Sequence, residues 1–248
     1  MAQTYRYSDV LSIVSKTFPR IVEDQFSSIC SNLATNLIWY GYDWRQSLKT
    51  LPPFWLAPGM QDYVPPLITV PSDFGGLRQT FLTRVASGGT VKDVIKPVQD
   101  LQITHVVGLP NSITYNPATG GFRIFPRAPW GQGAPYLMIE GTYKCKPTLI
   151  TNATLDTLLP FDDMYLNTWL EVMRWAFMSA SGDQRAGQVL VQNGSYQITG
   201  QLGAACNAVD QMAAHEGLLQ NDPTISPAQP LAWPSGGVQG YPLNFWGP

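Results

Sequence analysis

The stretch VEDQFSSICSNLATNLIWYG, residues 22–41, decides how the fold reads. Val22, Phe26, Ile29, Leu33, Leu37 and Tyr40 recur at steps of four, three, four, four and three, the spacing that lines one face of an α-helix. A long amphipathic helix is therefore expected, with Gly41 as its stop signal. Immediately afterwards the punctuation changes. Pro52-Pro53, Pro58-Gly59, Pro65-Pro66, Pro71, Gly75-Gly76, Gly88-Gly89, Pro110, Pro117 and Gly120-Gly121 cut the chain as far as Pro160 into short β-prone runs.

On the N-terminal side, Val10, Leu11 and Val14 predict a shorter helix, with Ser8 as N-cap and Pro19 as stop. Within the β-rich region the best hairpin pairs Ser112–Tyr115 with Phe122–Phe125 across a turn at 116–121. Tyr136 to Lys146 alternates more loosely, with Leu137, Ile139, Gly141, Tyr143 and Cys145 on one face and Glu140 on the other. At Pro160 the period turns helical again. Asp162 is placed to cap, Asp163 to favour the positive end of the helix dipole, and Phe161 stands at staple distance from Leu166. The expected face is Leu166, Leu170 or Trp169, Met173, Phe177 and Ala180, ending at Gly182. Residues 183–219 read as a helix broken or bent by Gly187, Gly194, Gly200 and Gly203.

The fold class expected from this pattern is α+β. Residues 1–41 and 160–219 would form a helical bundle, residues 42–159 a small inserted antiparallel β domain, and residues 220–248 an extended arm. The arm holds six prolines, four glycines and the aromatics Trp233, Tyr241, Phe245 and Trp246, with Asp222 its one charged side chain. Disordered tails are typically charged and poor in aromatics, so an arm of the opposite composition is expected to order on a partner, with those four side chains as anchors.

Charged residues make up 13% of the chain, about half the usual share of roughly 25%. Much of the surface must therefore be neutral, as the centres of protein interfaces are. The formal net charge of −2 and the absence of any Lys or Arg after Arg185 argue against gripping nucleic acid through its phosphates. Cys30, Cys145 and Cys206 are widely separated and read as buried thiols, with neither a metal site nor a disulfide frame expected. No signal-peptide pattern and no membrane-length apolar run is read from the sequence.

The search for chemistry returns little. The G-x-S-x-G, Walker A, G-x-G-x-x-G and H-E-x-x-H patterns are absent, so no catalytic residue, cofactor or metal is expected, and the chain reads as a non-enzyme. His105 is expected on a strand, and His215 with Glu216 as a solvated pair on a helix. Asp162, Asp163, Glu171 and Glu140 lie near aromatics that could stack on sugars, but capping and exposure account for them more simply. Trp39, Tyr40, Tyr42, Trp44, Phe54 and Trp55 read as core packing where the first long helix meets the β region. Arg123, Arg127, Lys144 and Lys146 could give the β region a modest positive face.

Taken in order, three segments resemble the head–tail adaptor, or connector, proteins of tailed bacteriophages, as found in short-tailed phages. They are the N-terminal helix pair ending in Asn36-Leu37-Ile38-Trp39-Tyr40, the β region with residues 119–126 and 139–143, and residues 159–166 opening a helix that leads to residues 182–186. The resemblance is architectural and spans about residues 5–217. It implies a virion structural protein of the neck or tail, assembled in the bacterial cytoplasm. In that role the chain would self-associate into a ring, commonly a dodecamer, between a portal protein ring and a tail or nozzle protein. Genomic DNA would pass through without sequence-specific binding, and no membrane would be involved. The arm, through Trp233, Tyr241, Phe245 and Trp246, would bind the portal or face the tail. Another neck component, such as a stopper or tail-completion protein, and a carbohydrate-binding β module are the alternatives.

Overall fold

The computed structural model describes residues 2–86, 89–99, 101–103, 105–129, 136–192 and 195–218; the arm and its four aromatic anchors lie outside them. The described chain divides into two compact units, residues 43–146 and residues 2–42 with 147–218.

The first unit is built on β1 (Leu48–Trp55), β2 (Asp62–Tyr63), β3 (Phe74–Ala86), β4 (Gly89–Pro97), β5 (Ser112–Asn116), β6 (Gly121–Phe125) and β7 (Tyr136–Cys145). They form one sheet in the order β1-β7-β3-β4-β5-β6-β2. Every pairing is antiparallel except β4 with β5, where Lys96 faces Ser112 and Pro97 faces Ile113 in parallel register. The expectation of a helical bundle carrying a small antiparallel insert is thereby overturned: a curled, mixed seven-stranded sheet dominates the molecule as a half-barrel.

The physical reason lies in residues that read as breakers. Pro52-Pro53 falls inside β1, where the register with β7 shifts between Leu51 and Phe54. Gly75-Gly76 falls inside β3, and the β3–β7 register shifts there and again between Leu77 and Thr80. Irregularities of this kind bend a strand without ending it. At the second β3–β7 shift, a Cβ on Gly141 would stand 2.2 Å from the Gln79 carbonyl oxygen, so the close approach requires glycine. The predicted hairpin is present, with Ser112 opposite Phe125 and Asn116 opposite Gly121. Its Phe122 stacks on Phe54 with ring centroids 5.6 Å apart, in a core that includes Leu82, Ile95, Ile124 and Ile139.

The second unit holds α1 (Tyr7–Ser15), α2 (Asp24–Gly41), α3 (Leu166–Ala180) and α4 (Gly200–His215). Residues 183–199 differ from the broken helix expected there. A hairpin of β8 (Val189–Gln192) and β9 (Ser195–Ile198) precedes α4. Gly187 enters it with φ of 106°, and a Cβ there would meet the Thr199 carbonyl oxygen at 2.0 Å. The first helix is capped from within, because the Asp9 carboxylate accepts from the Arg6 N–H at 2.7 Å while Ser8 lies inside the helix. At the start of α3, Asp162 accepts from the Met164 N–H as expected. Asp163 instead accepts from the N–H of Thr4 at 2.8 Å, from the N–H of Tyr5, and from the Thr4 hydroxyl.

The largest departure concerns α2. Its buried residues are Ser27, Cys30, Ser31, Ala34, Thr35, Leu37, Ile38, Trp39 and Gly41, small except for Leu37, Ile38 and Trp39 near its C-terminal end. Small side chains let the helix approach α3, whose Trp169, Val172, Met173, Ala176 and Phe177 supply the bulk. Of the stripe predicted to face the core, Leu37 alone is fully buried.

Candidate functional site

That stripe is the first candidate surface. Val22 is 58% exposed, Ile29 and Tyr40 are also exposed, and Phe26 and Leu33 are half-buried. From Gln25 to Tyr42 there is no charged side chain. A helix at a protein–water boundary ordinarily turns charge outward, so an exposed side of this composition is a candidate contact surface. Beside it runs an open groove of about 530 Å³, lined by Asp24, Gln25, Ser28 and Asn32 of α2 and by residues 149–153. Asn32 fixes the far wall: its side-chain N–H donates to the Ile150 carbonyl at 2.8 Å, and its side-chain oxygen accepts from the Ile150 N–H at 2.9 Å. Leu149 is left exposed at the rim.

A second apolar surface lies on the sheet. Trp55 on β1 faces Met138 on β7, two residues from Tyr136, and Phe81 on β3 faces Val94 on β4. Trp55, Tyr136 and Val94 are 58%, 75% and 63% exposed. Between them Glu140 pairs with Lys92 and accepts from the Thr83 hydroxyl at 2.6 Å. The Lys92 contact, followed by the Thr83 hydrogen bond, holds the Glu140 carboxyl below its ordinary range, so this carboxylate is an anchored anion.

The other residues singled out from sequence are dispersed. Arg123 pairs with Asp62, and Lys144 is buried beside Asp43, so the predicted positive face is not a single feature. Of the aromatic cluster, Trp39 and Trp44 are buried, Phe54 stacks in the sheet core, Trp55 is exposed, and Tyr42 donates to Asp210 at 2.6 Å. Burial pushes the Asp210 carboxyl up, and the Tyr42 hydroxyl opposes that shift. His105 lies outside the strands and is exposed, contrary to expectation. His215 shares a 3.0 Å hydrogen bond with the Tyr165 hydroxyl, where a purely solvated residue had been expected.

Glu171 is bound to Arg174 and Gln201, Asp163 to the N-terminal segment, and Glu140 to Lys92, so the candidate carboxylates each have separate structural partners. The three cysteines are buried and unlinked, and burial pushes the Cys30 and Cys206 thiols up to about 12. Among the described residues, no group of His, Cys, Asp and Glu could hold a metal ion, and no helix is long and apolar enough to cross a membrane.

No protein-family model matches this sequence, and comparison with curated proteins yields no match. The functional reading therefore rests on the surfaces themselves. The sequence carried one signal for the α2 surface that periodicity hid, namely the charge-free run from Gln25 to Tyr42.

Proposed function

We propose that the protein is a structural component of a virion neck, an adaptor ring that joins a portal ring to a tail and surrounds the DNA path. The observation that carries this reading is the exposure of Ile29 and Tyr40 on α2 within the charge-free run from Gln25 to Tyr42, a composition typical of macromolecular contacts. The exposed apolar side chains on the sheet, Trp55, Tyr136 and Val94, give the chain a second contact surface. A ring needs two contact surfaces on each subunit, since head-to-tail association closes only when distinct patches meet. The arm would add anchors on the partner through Trp233, Tyr241, Phe245 and Trp246. Weak net charge suits a channel through which DNA slides, because phosphate neutralisation would hold it in place.

The test is electron microscopy of the protein mixed with a candidate portal. Rings in register with the portal are expected, and a protein that stays monomeric beside intact portals would overturn the reading. Trp55 and Tyr136, exposed on adjacent strands, favour a second reading in which the sheet stacks sugar rings. Glycan-array binding that is abolished by Trp55→Ala would support it.

A further inference from the structure

The strand registers of the sheet unit define one outer face. On β3 its residues are Phe81, Thr83 and Val85, which alternate with buried Leu82, and directly opposed residues share a side of a sheet. On β4 that side carries Val94, Lys92 and Thr90, and on β7 it carries Glu140, Met138 and Tyr136, with Trp55 of β1 beside Met138. The other side holds the core residues Leu82, Ile95, Leu137 and Ile139. Glu140 and Lys92 are the two charged side chains of the outer face, set diagonally across β3 beside Thr83, while Trp55, Tyr136 and Val94 stand exposed at its margins. The two ions have capacity to spare. Lys92 and the Thr83 hydroxyl both meet Glu140 Oε1, so Oε2 has no contact among the described residues, and Lys92 carries three N–H donors for this one partner.

The charges select the occupant. A partner of one sign would meet either Lys92 or Glu140 with like charge, whereas a second copy of the same face matches both. Turned by a two-fold axis lying between the two faces, the second copy sets its anion against this cation and its cation against this anion. Strand addition at the edges is disfavoured instead. Pro52 and Pro53 remove donors from β1, β2 has two residues, and two β4 edges aligned antiparallel about their midpoint would set Lys92 against Lys92. We propose that two copies of the chain associate face to face through this side of the sheet, Lys92 of each paired with Glu140 of the other, covering Trp55, Tyr136 and Val94. Strands about 4.8 Å apart and residues rising about 3.4 Å each give a face of roughly 15 Å by 15 Å, below the roughly 800 Å² that a standard interface takes from each partner. The pair is therefore weak and concentration-dependent. It concerns the isolated chain and does not rest on the adaptor reading.

Sedimentation of the full-length protein alone, from about 1 µM to about 1 mM, should show a monomer–dimer equilibrium. Lys92→Glu and Glu140→Lys should each weaken it by about tenfold or more, since each sets like charges against one another. An equimolar mixture of the two variants should associate again as a heterodimer, because every contact across the axis then joins opposite charges. A mixture no tighter than its parts would overturn the proposal. So would a monomer at every concentration, which would leave the face to a sugar or another protein, or assembly into larger rings without a dimer. Should a charge variant fail to fold, Tyr136→Ser decides, at a position 75% exposed. It should weaken the dimer at unchanged melting temperature, and an unchanged dimer would overturn the proposal. Dimers in solution beside portals that recruit no ring would count against the adaptor reading alone.

Discussion

Lys144 Nζ stands 3.3 Å from Asp43 Oδ1, tying the residue at which the sheet unit begins to the strand at which it ends. Arg78 Nε lies 2.8 Å from the same oxygen, so two cations share one carboxylate at a largely enclosed site. Burial lowers Lys144 to about 8; the nearby Arg78 adds to that shift and Asp43 opposes it. The unfolded chain keeps this lysine near 10.5, so between pH 8 and 10.5 it holds a proton that the folded state has released. Stability should therefore rise with pH across that window, by about 3 kcal/mol at most, and the full cost of burying the charge is present below pH 8.

The first prediction follows from this imbalance. Lys144→Met leaves Asp43 and Arg78 as a balanced pair and removes the buried charge, so at pH 7 the variant should be as stable as the wild type or more so. It should also lose the rise toward pH 10. Asp43→Asn removes the carboxylate that the two cations share and should cost about 3–5 kcal/mol at pH 7. Urea denaturation at pH 7 and pH 10 checks both. A clear loss of stability in Lys144→Met at pH 7 would mean that the ion contacts outweigh desolvation.

The second prediction concerns the curl of the sheet. In Gly141→Ala the new methyl would collide with backbone atoms of Gln79 and Thr80, which have no rotamer to yield, so a loss of about 2–3 kcal/mol is expected. Gly76→Ala meets only the end of the Arg78 side chain at 3.8 Å and should change stability by less than about 0.5 kcal/mol. The separation of the two urea midpoints is the measurement.

A third prediction tests which side of α2 is the core. Ala34→Leu adds volume to a fully buried site against α3 and should destabilise by about 1–3 kcal/mol. Ile29→Gln changes an exposed position and should stay within about 0.5 kcal/mol of the wild type. Thermal melts that reversed this order would restore the orientation expected from periodicity.

That reversal marks what the amino-acid pattern could and could not convey. Local signals worked where one element decides the outcome: Asn116 to Gly121 turned the hairpin, Asp162 capped the turn before α3, and Val10, Leu11 and Val14 faced inward. They failed where a partner element decides. On α2 the apolar period was real but only Leu37 of it is fully buried, because small residues supply much of the side that packs on α3, a contact remote in sequence. Pro52-Pro53 and Gly75-Gly76 read as strand ends but became register shifts within longer strands. The parallel pairing of β4 with β5 leaves no local trace. Of the candidate surfaces, the α2 stripe was legible as residues but not as a surface, and Trp55 was assigned to a core it does not join.

The last prediction concerns the anchoring of the N-terminal segment. Asp163 accepts hydrogen bonds from the Thr4 hydroxyl and from the N–H groups of Thr4 and Tyr5, and these donors hold its carboxyl below the ordinary 3.8, the hydroxyl contributing most. A carboxyl depressed in the folded state stabilises that state fully above pH 3.8 and loses the contribution as pH falls through its folded value. The neighbouring backbone bonds, Tyr7 N–H to Thr157 and Leu159 N–H to Tyr5, contain no titrating group. Acidification should therefore release Thr4 and the Tyr5 amide before it disturbs α1. In hydrogen exchange corrected for intrinsic rates, protection of the Thr4 and Tyr5 amides should fall with pH below 3.8 while that of Tyr7 and Leu159 holds. Asp163→Asn should show the weakened protection already at neutral pH and no further change on acidification. Equal loss at all four amides would mean that the segment is held by the whole helical unit and not by this carboxylate.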